Sequence, residues 1–366
     1  MPPKTAVKKT KAFMPPKEAD FQNKQLDLFR AFLCNGEHER DRLSNTFDLW
    51  DSVPRYSISR QSMDKMRKAG SFPQLMDITF HYRGRQLKAI IQPSWIQEED
   101  GKVTGYYPSA NEELVEDALR KIAAEQNHGY FDKPNNRSGV VFTLHMLREE
   151  LKKRGHTRSY QEIILSLRIL ARSTIEIATT DGKDGEGFTI NPYFSGLSAV
   201  SRARLVDDPD AKWIVQFHPL VTQAIDALTY RQFNYAQMMG HHTQLARWLH
   251  KQLSLKFTFA SLMHSFEMRF STIKRDSALL EGYKQQRQAI VKLDAAFEEL
   301  KASGVLMFFK KEEVRGTRSK LEDVIYTLTA SRDFIAQIKA ANKRQSMAEE
   351  ALPSPVDNSL RPPKTR

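Results

Sequence analysis

The sequence predicts an α+β chain in which one order of elements, helix, strand, helix, helix, hairpin, is used twice, behind a separate β-hairpin and between two disordered tails. Three observations point there. Apolar residues recur at helical spacing in a series of segments. Short β-branched runs flank polar, glycine-bearing turns at two corresponding places. Both ends lack apolar periodicity. At 366 residues the chain exceeds one small core, so two units are expected. A hydrophobic content of 40% is enough to bury them. The expected division is a flexible region over 1–45, a first unit over 46–217, a second over 218–335 and a tail over 336–366.

Residues 1–20 place Lys4, Lys8, Lys9, Lys11 and Lys17 among prolines, and 341–366 mix Pro, Ser and charge, so both ends read as disordered. The first folded element is a hairpin, Leu75 to Tyr82 and Gln86 to Gln92, turning at Arg83 and Gly84 and closed by Pro93. Asn111 to Asn127 then reads as a helix through Leu114, Ala118, Leu119 and Ile122, and Val140 to Phe142 as a short strand. Thr143 can cap the next helix, whose apolar side is Leu144, Leu147 and Leu151 and which stops at Gly155. Ser159 to Arg172 sets Tyr160, Ile163, Leu167 and Leu170 on one side. Thr174 to Ala178 and Phe188 to Ile190 flank the turn Thr179 to Gly187.

The second copy follows a strand, Trp213 to Phe217, and a short helix, Pro219 to Leu228. His242 to Leu255 is its first helix, Phe257 to Phe259 its strand and Ala260 to Glu267 its second helix. A polar link, Ser271 to Ser277, leads to the longest helix, Tyr283 to Lys301, striped by Ile290, Leu293, Phe297 and Leu300 and ended by Ser303 and Gly304. Val305 to Val314 and Leu321 to Leu328 form a hairpin around Arg315 to Lys320. Taken together this is the order of a winged helix, a helix-turn-helix followed by a β-wing. The fold class expected is therefore two tandem winged-helix domains with a preceding β-hairpin.

Lys and Arg number 56 against 44 Asp and Glu, a net charge of +12. That balance favours polyanionic partners, nucleic acid before anionic membrane, although solubility alone also accounts for it. The single cysteine, Cys34, rules out an intrachain disulfide framework and a cysteine zinc site, and fits a reducing, cytoplasmic setting. No run approaches the roughly 18 apolar residues of a membrane span.

On the long helix, Lys284, Gln288 and Lys292 lie opposite the apolar stripe, with Gln285 and Arg287 beside them. Arg can pair with guanine, Gln with adenine, and Lys neutralises phosphate. Lys274 and Arg275 on the preceding link and Arg315, Arg318 and Lys320 on the wing add charge around the same face. An ordinary solvated face is the alternative. In the first unit the corresponding helix turns out Gln161, Arg168 and Arg172, and Arg158 precedes it. These are candidate phosphate contacts. Leu165 and Ile169 also face outward, as an interface with the other domain or a second protomer, unless both belong to the core.

Gln25, Leu26, Asp27, Leu28 and Phe29 form a pentapeptide that resembles the segment by which bacterial replication proteins dock on the DNA polymerase sliding clamp. Leu28 and Phe29 would fill an apolar pocket and Gln25 would bond at its edge; the start of an amphipathic helix is the other reading. No catalytic signature is present: no phosphate-binding loop, no dinucleotide-binding glycine motif and no H-E-x-x-H. His241, His242 and His250 lack an acidic residue spaced to complete a metal site. No enzyme activity, metal or cofactor is expected.

Three segments, WIVQFHPLVTQAI (Trp213 to Ile225), HTQLARWLHKQL and YKQQRQAIVKLDAAFEELKASG (Tyr283 to Gly304), together with the QLDLF pentapeptide, resemble the tandem winged-helix replication initiators of theta-replicating plasmids, the TrfA and RepC types in particular. The resemblance covers about residues 75–330 in architecture. It implies binding to repeated double-stranded origin DNA, opening of an AT-rich stretch, recruitment of host proteins (the sliding clamp, a helicase or a host initiator) and a homodimeric form. The segment 195–210 departs from it. A winged-helix transcriptional repressor and, more distantly, a nicking enzyme are the rival readings.

Overall fold

A computed structural model describes residues 41–351, apart from residue 99 and the segments 125–127, 181–186, 202–204 and 206–207. The pentapeptide Gln25–Phe29, and the polar turn after Thr180, lie outside the described residues. The first unit opens with β1 (Leu43–Phe47), a 3-10 turn (Trp50–Ser52) and α1 (Arg60–Lys68). The expected hairpin follows as β2 (Met76–Tyr82) and β3 (Arg85–Gln92), with Arg83 and Gly84 both at positive φ in the turn. A second, smaller hairpin, β4 (Ser94–Gln97) and β5 (Val103–Tyr106), comes next.

The winged-helix order then appears, with one strand, β6, beyond those read: α2 (Ala110–Ala124), the strands β6 (Gly129–Asp132) and β7 (Arg137–Thr143), α3 (Leu144–Lys153), α4 (Tyr160–Arg172), and the wing strands β8 (Thr174–Thr179) and β9 (Phe188–Pro192). Thr143 caps α3 by accepting the Met146 amide, and Gly155, at φ +84°, follows its end. Ser159 and Glu162 close a capping box at the start of α4.

Beyond this order the chain adds strands. β9 bends at Tyr193 into β10 (Phe194–Val200), which pairs with β11 (Lys212–Phe217), and β11 in turn pairs with β7. β11 thus sits between β10, which continues from the wing strand β9, and β7, giving the sheet β10-β11-β7-β6. The wing is extended on its other side by the N-terminal hairpin, giving the sheet β2-β3-β8-β9. After α5 (Pro219–Asp226), β12 (Tyr230–Asn234) returns to pair with β1, and α6 (Tyr235–Met239) ends the unit. One apolar core runs from Phe47 to Met239. The division at 217/218 therefore moves: Val221, Ile225 and Phe233 pack with the first unit.

The second unit is a minimal winged helix: α7 (Gln244–Lys256), β13 (Phe266–Arg269), α8 (Phe270–Ser277), α9 (Gln286–Ala302), β14 (Leu306–Arg315) and β15 (Leu321–Ala330), with sheet order β13-β15-β14. Its middle differs from the sequence reading. Phe257–Phe259 is not the strand, and Ala260–Glu267 is not a helix. Ser261 accepts the amides of Met263 and His264 in a local turn, which competes with helix formation. Phe257 and Phe266 stack with centroids 5.2 Å apart, and the strand starts at Phe266 instead of Phe257, opposite Ile325–Leu328. The expected link Ser271–Ser277 is α8 itself: Phe270 and Ile273 are buried and one turn apart, enough to seat a short helix that looks polar. The longest helix is α10 (Arg332–Ala351), which takes in residues 336–351 of the expected tail. Phe334, Ile335 and Ile338 fix it on the second core.

Candidate nucleic-acid interface

The charged residues singled out in the second unit center on α9. Ala289, Ile290, Leu293, Ala296, Phe297 and Leu300 of this helix are buried against α7 and β14, and Gly304 at φ +79° lets the chain turn away after Ser303. The opposite side carries Arg287, Gln288, Val291, Lys292 and Ala295, all exposed. The helix begins at Gln286, later than expected, so Gln285 is its N-cap and Lys284 lies in the preceding turn, both still exposed. Sequence reasoning missed Val291 and Ala295, because only charge and amide groups were sought on that face.

Acidic residues at the far end of α9 serve to hold the helix. Asp294 accepts from Lys311 of β14 at 2.7 Å and from the Tyr326 hydroxyl of β15 at 2.7 Å. Burial, reinforced by that bond, raises the Tyr326 phenol well above its ordinary value. Glu299 accepts from the His242 amide and, at 2.7 Å, from the Thr243 hydroxyl at the head of α7. The wing and the first helix are thereby fixed to α9 by its own carboxylates.

At the wing tip Arg318 and Ser319 stand at φ +61° and +55°, so the turn holds Arg318 and Lys320 out into solvent. Arg315 is tied back to Glu313 at 2.5 Å and to the Ser319 carbonyl at 3.1 Å. Among the described residues Arg287, Lys292, Arg318 and Lys320 have no acidic partner, which leaves their charge for an external anion. Lys274 and Arg275 differ from expectation. They occupy the last turn of α8, where Lys274 lies 3.5 Å from Glu281 and Arg275 makes a bidentate pair with Asp276 at 2.7 and 3.0 Å. Asp276 also accepts the His81 amide of β2 at 3.0 Å, so Arg275 belongs to the contact between units.

In the first unit α4 is covered. β4 and β10 lie along it, Ile169 is fully buried and Leu165 half-buried. The outward placement of Ile169, and with it the proposed partner surface, is corrected: the added strands supply the apolar cover. Gln161, Arg168 and Arg172 remain exposed. Arg158 is half-buried and holds the Asn111 side chain at 2.8 Å.

The two units meet through charge. Lys251 of α7 reaches Glu113 at 3.1 Å and Asp117 at 2.5 Å on α2, and Gln244 donates to Glu113 and to the Tyr56 carbonyl, both at 2.9 Å. Behind them Arg120 and Arg55 bind Asp51, at 2.8 and 3.0 Å, and Arg55 binds Glu116 at 3.0 Å. Apart from the half-buried Gln244, all of these side chains are buried. Burial alone would raise the carboxylates. The guanidinium groups of Arg120 and Arg55 outweigh it, bringing Glu116 down to about 2 and Asp51 lower still. Burial would likewise neutralise Lys251, but Asp117 and Glu113 hold it above its usual value. A pairing this complete is held by mutual compensation, so removal of one member is costly. It fixes the second unit, and hence α9, relative to the first.

No known family profile matches the chain, and no curated protein sequence matches it. Solved structures do. Domains 2 and 3 of RctB, in a selenomethionine form, are similar with a TM-score of 0.45 and 11% identity over 70% of this chain and 91% of that one. Another structure of RctB domains 2–3 gives 0.41 and 12% over 72% and 95%. The Pi initiator protein in complex with iteron DNA gives 0.36 and 11% over 80% and 99%.

Proposed function

We propose that this chain is a sequence-specific, non-catalytic DNA-binding protein that initiates plasmid replication. On this reading α9 enters the major groove of repeated origin DNA, Arg287 and Gln288 read base edges, and Lys292, Arg318 and Lys320 neutralise phosphates. Lys284 and Gln285 lie at the groove edge, and Arg168 and Arg172 of the first unit reach phosphates further along. The observation that carries the proposal is the open, uncompensated basic face of α9 beside a wing tip where Arg318 and Lys320 are equally free. The initiator role rests on the resemblance of Tyr283 to Gly304 and of the other two segments to plasmid initiators. Recruitment of the host sliding clamp is assigned to Gln25–Phe29.

A footprint of the purified chain on the DNA flanking its own gene tests this reading. Tandem direct repeats, protected by the protein, are expected, together with replication of a minimal origin plasmid only when the gene is supplied in trans. A single protected palindrome and no replication would make the chain a repressor. Changing Leu28 and Phe29 to Ala is expected to abolish clamp pull-down without changing DNA affinity.

A further inference from the structure

We infer that Val291 is a specificity-determining residue, which contacts the C5-methyl group of a thymine when α9 lies in the major groove. This rests on the reading of α9 as the groove helix. Val291 is 63% exposed in the middle of a helix whose other large apolar residues are buried. Neither the core nor helix formation asks for it there: it is not part of the apolar core of this unit, and a β-branched side chain is a poorer helix former than the Lys, Gln or Ala around it.

Its neighbours give it a place in recognition. Arg287 is four residues before it and Gln288 three, so both adjoin it on the helix surface. Ala295, exposed, lies one turn further on. Long polar side chains thus frame a shallow strip made by Val291 and Ala295, where the helix backbone can come closest to the base edges. Arginine and glutamine in such a frame supply hydrogen bonds for guanine and adenine. Neither supplies the apolar contact that tells thymine from cytosine, for which the thymine methyl is the major-groove feature. Val291 is the one large apolar group on that face, and its two methyls are of the size and kind that such a contact needs.

The test uses the duplex that the full-length protein selects from a random-sequence library. Each thymine is replaced in turn by deoxyuridine, which removes the methyl and leaves base pairing intact. Burying one methyl is worth about 0.8 kcal/mol, or roughly a fourfold change in affinity. The wild-type chain should therefore bind about fourfold more weakly when one particular thymine is replaced. V291A should bind the two duplexes equally, with no change in its response at other positions. If V291A keeps the full loss at that thymine, or the wild-type chain is insensitive to every replacement, the inference is wrong. R287A separates the two levels. A base preference altered by R287A with no methyl coupling to Val291 would sink this inference and leave α9 as the reader, whereas an R287A loss equal on all sequences would sink the groove reading itself.

Discussion

Helices α4 and α9 occupy the same position in the same order of elements, yet one is enclosed and the other is open. Around α4 the chain adds β4 and β10, so a helix that would face solvent in a minimal winged helix packs on both sides, and Ile169 becomes core. Around α9 nothing is added: α7 and the wing cover one side only, and the other keeps Arg287, Gln288 and Lys292 in solvent. The difference teaches that element order does not assign function. What the chain places over the third helix decides whether that helix can enter a groove.

The largest effect expected on this contrast comes at the joint between units. Lys251→Ala leaves Glu113 buried without its cation and Asp117 with Arg120 alone, and should cost about 3–5 kcal/mol in urea unfolding; a loss under 1 kcal/mol would mean the units are not locked together. Next come the two helices themselves. Ile169→Ala should cost about 2–5 kcal/mol as a buried large-to-small change. Val291→Ala should stay within about 0.5 kcal/mol as a surface change. Equal effects would erase the distinction between the covered and open helix.

A smaller effect concerns pH. His241 and His250 share a hydrogen bond of 2.9 Å at the joint. Burial lowers His241 to about 4 and His250 well below its usual value. Below pH 6.5 the unfolded chain takes up protons that these folded rings refuse. Their contribution is therefore full above pH 6.5 and is lost as pH falls towards 4. Unfolding free energy should drop by about 2 kcal/mol per histidine between pH 7 and pH 5; a flat profile there would place the rings in water. The smallest effect is electrostatic. Arg318→Ala should weaken binding to all DNA sequences alike and reduce the slope of log affinity against log salt by about 0.9.

Much of the fold was legible because local chemistry dictated it. Thr143, Ser159 and Gly155 mark helix ends with their own side chains or backbone, and Ile290, Leu293, Phe297 and Leu300 repeat at the helical period. The errors share a cause, which is pairing across the sequence. β13 exists because Phe266–Arg269 finds Ile325–Leu328. β11 is a sheet center and not a connector because β10 and β7 flank it. The charged residues of α2, among them Glu113, Glu116, Asp117 and Arg120, are buried. Nothing near Glu113 in sequence announces Lys251, 138 residues away. The site was legible in its charges and less so in its limits. Lys284 fell just outside the helix, Arg275 was drawn to Asp276, and Val291 was passed over because it carries no polar group.

The most direct test of the contrast between α4 and α9 is a comparison of Arg287→Ala with Arg168→Ala on duplexes carrying every single-base change in the protected repeat. Arg287→Ala should cost about 1–3 kcal/mol on the preferred sequence and flatten the preference at one base position. Arg168→Ala should lower affinity evenly and leave the preference intact. A preference unchanged by Arg287→Ala, or flattened instead by Arg168→Ala, would contradict the assignment of base reading to the open helix.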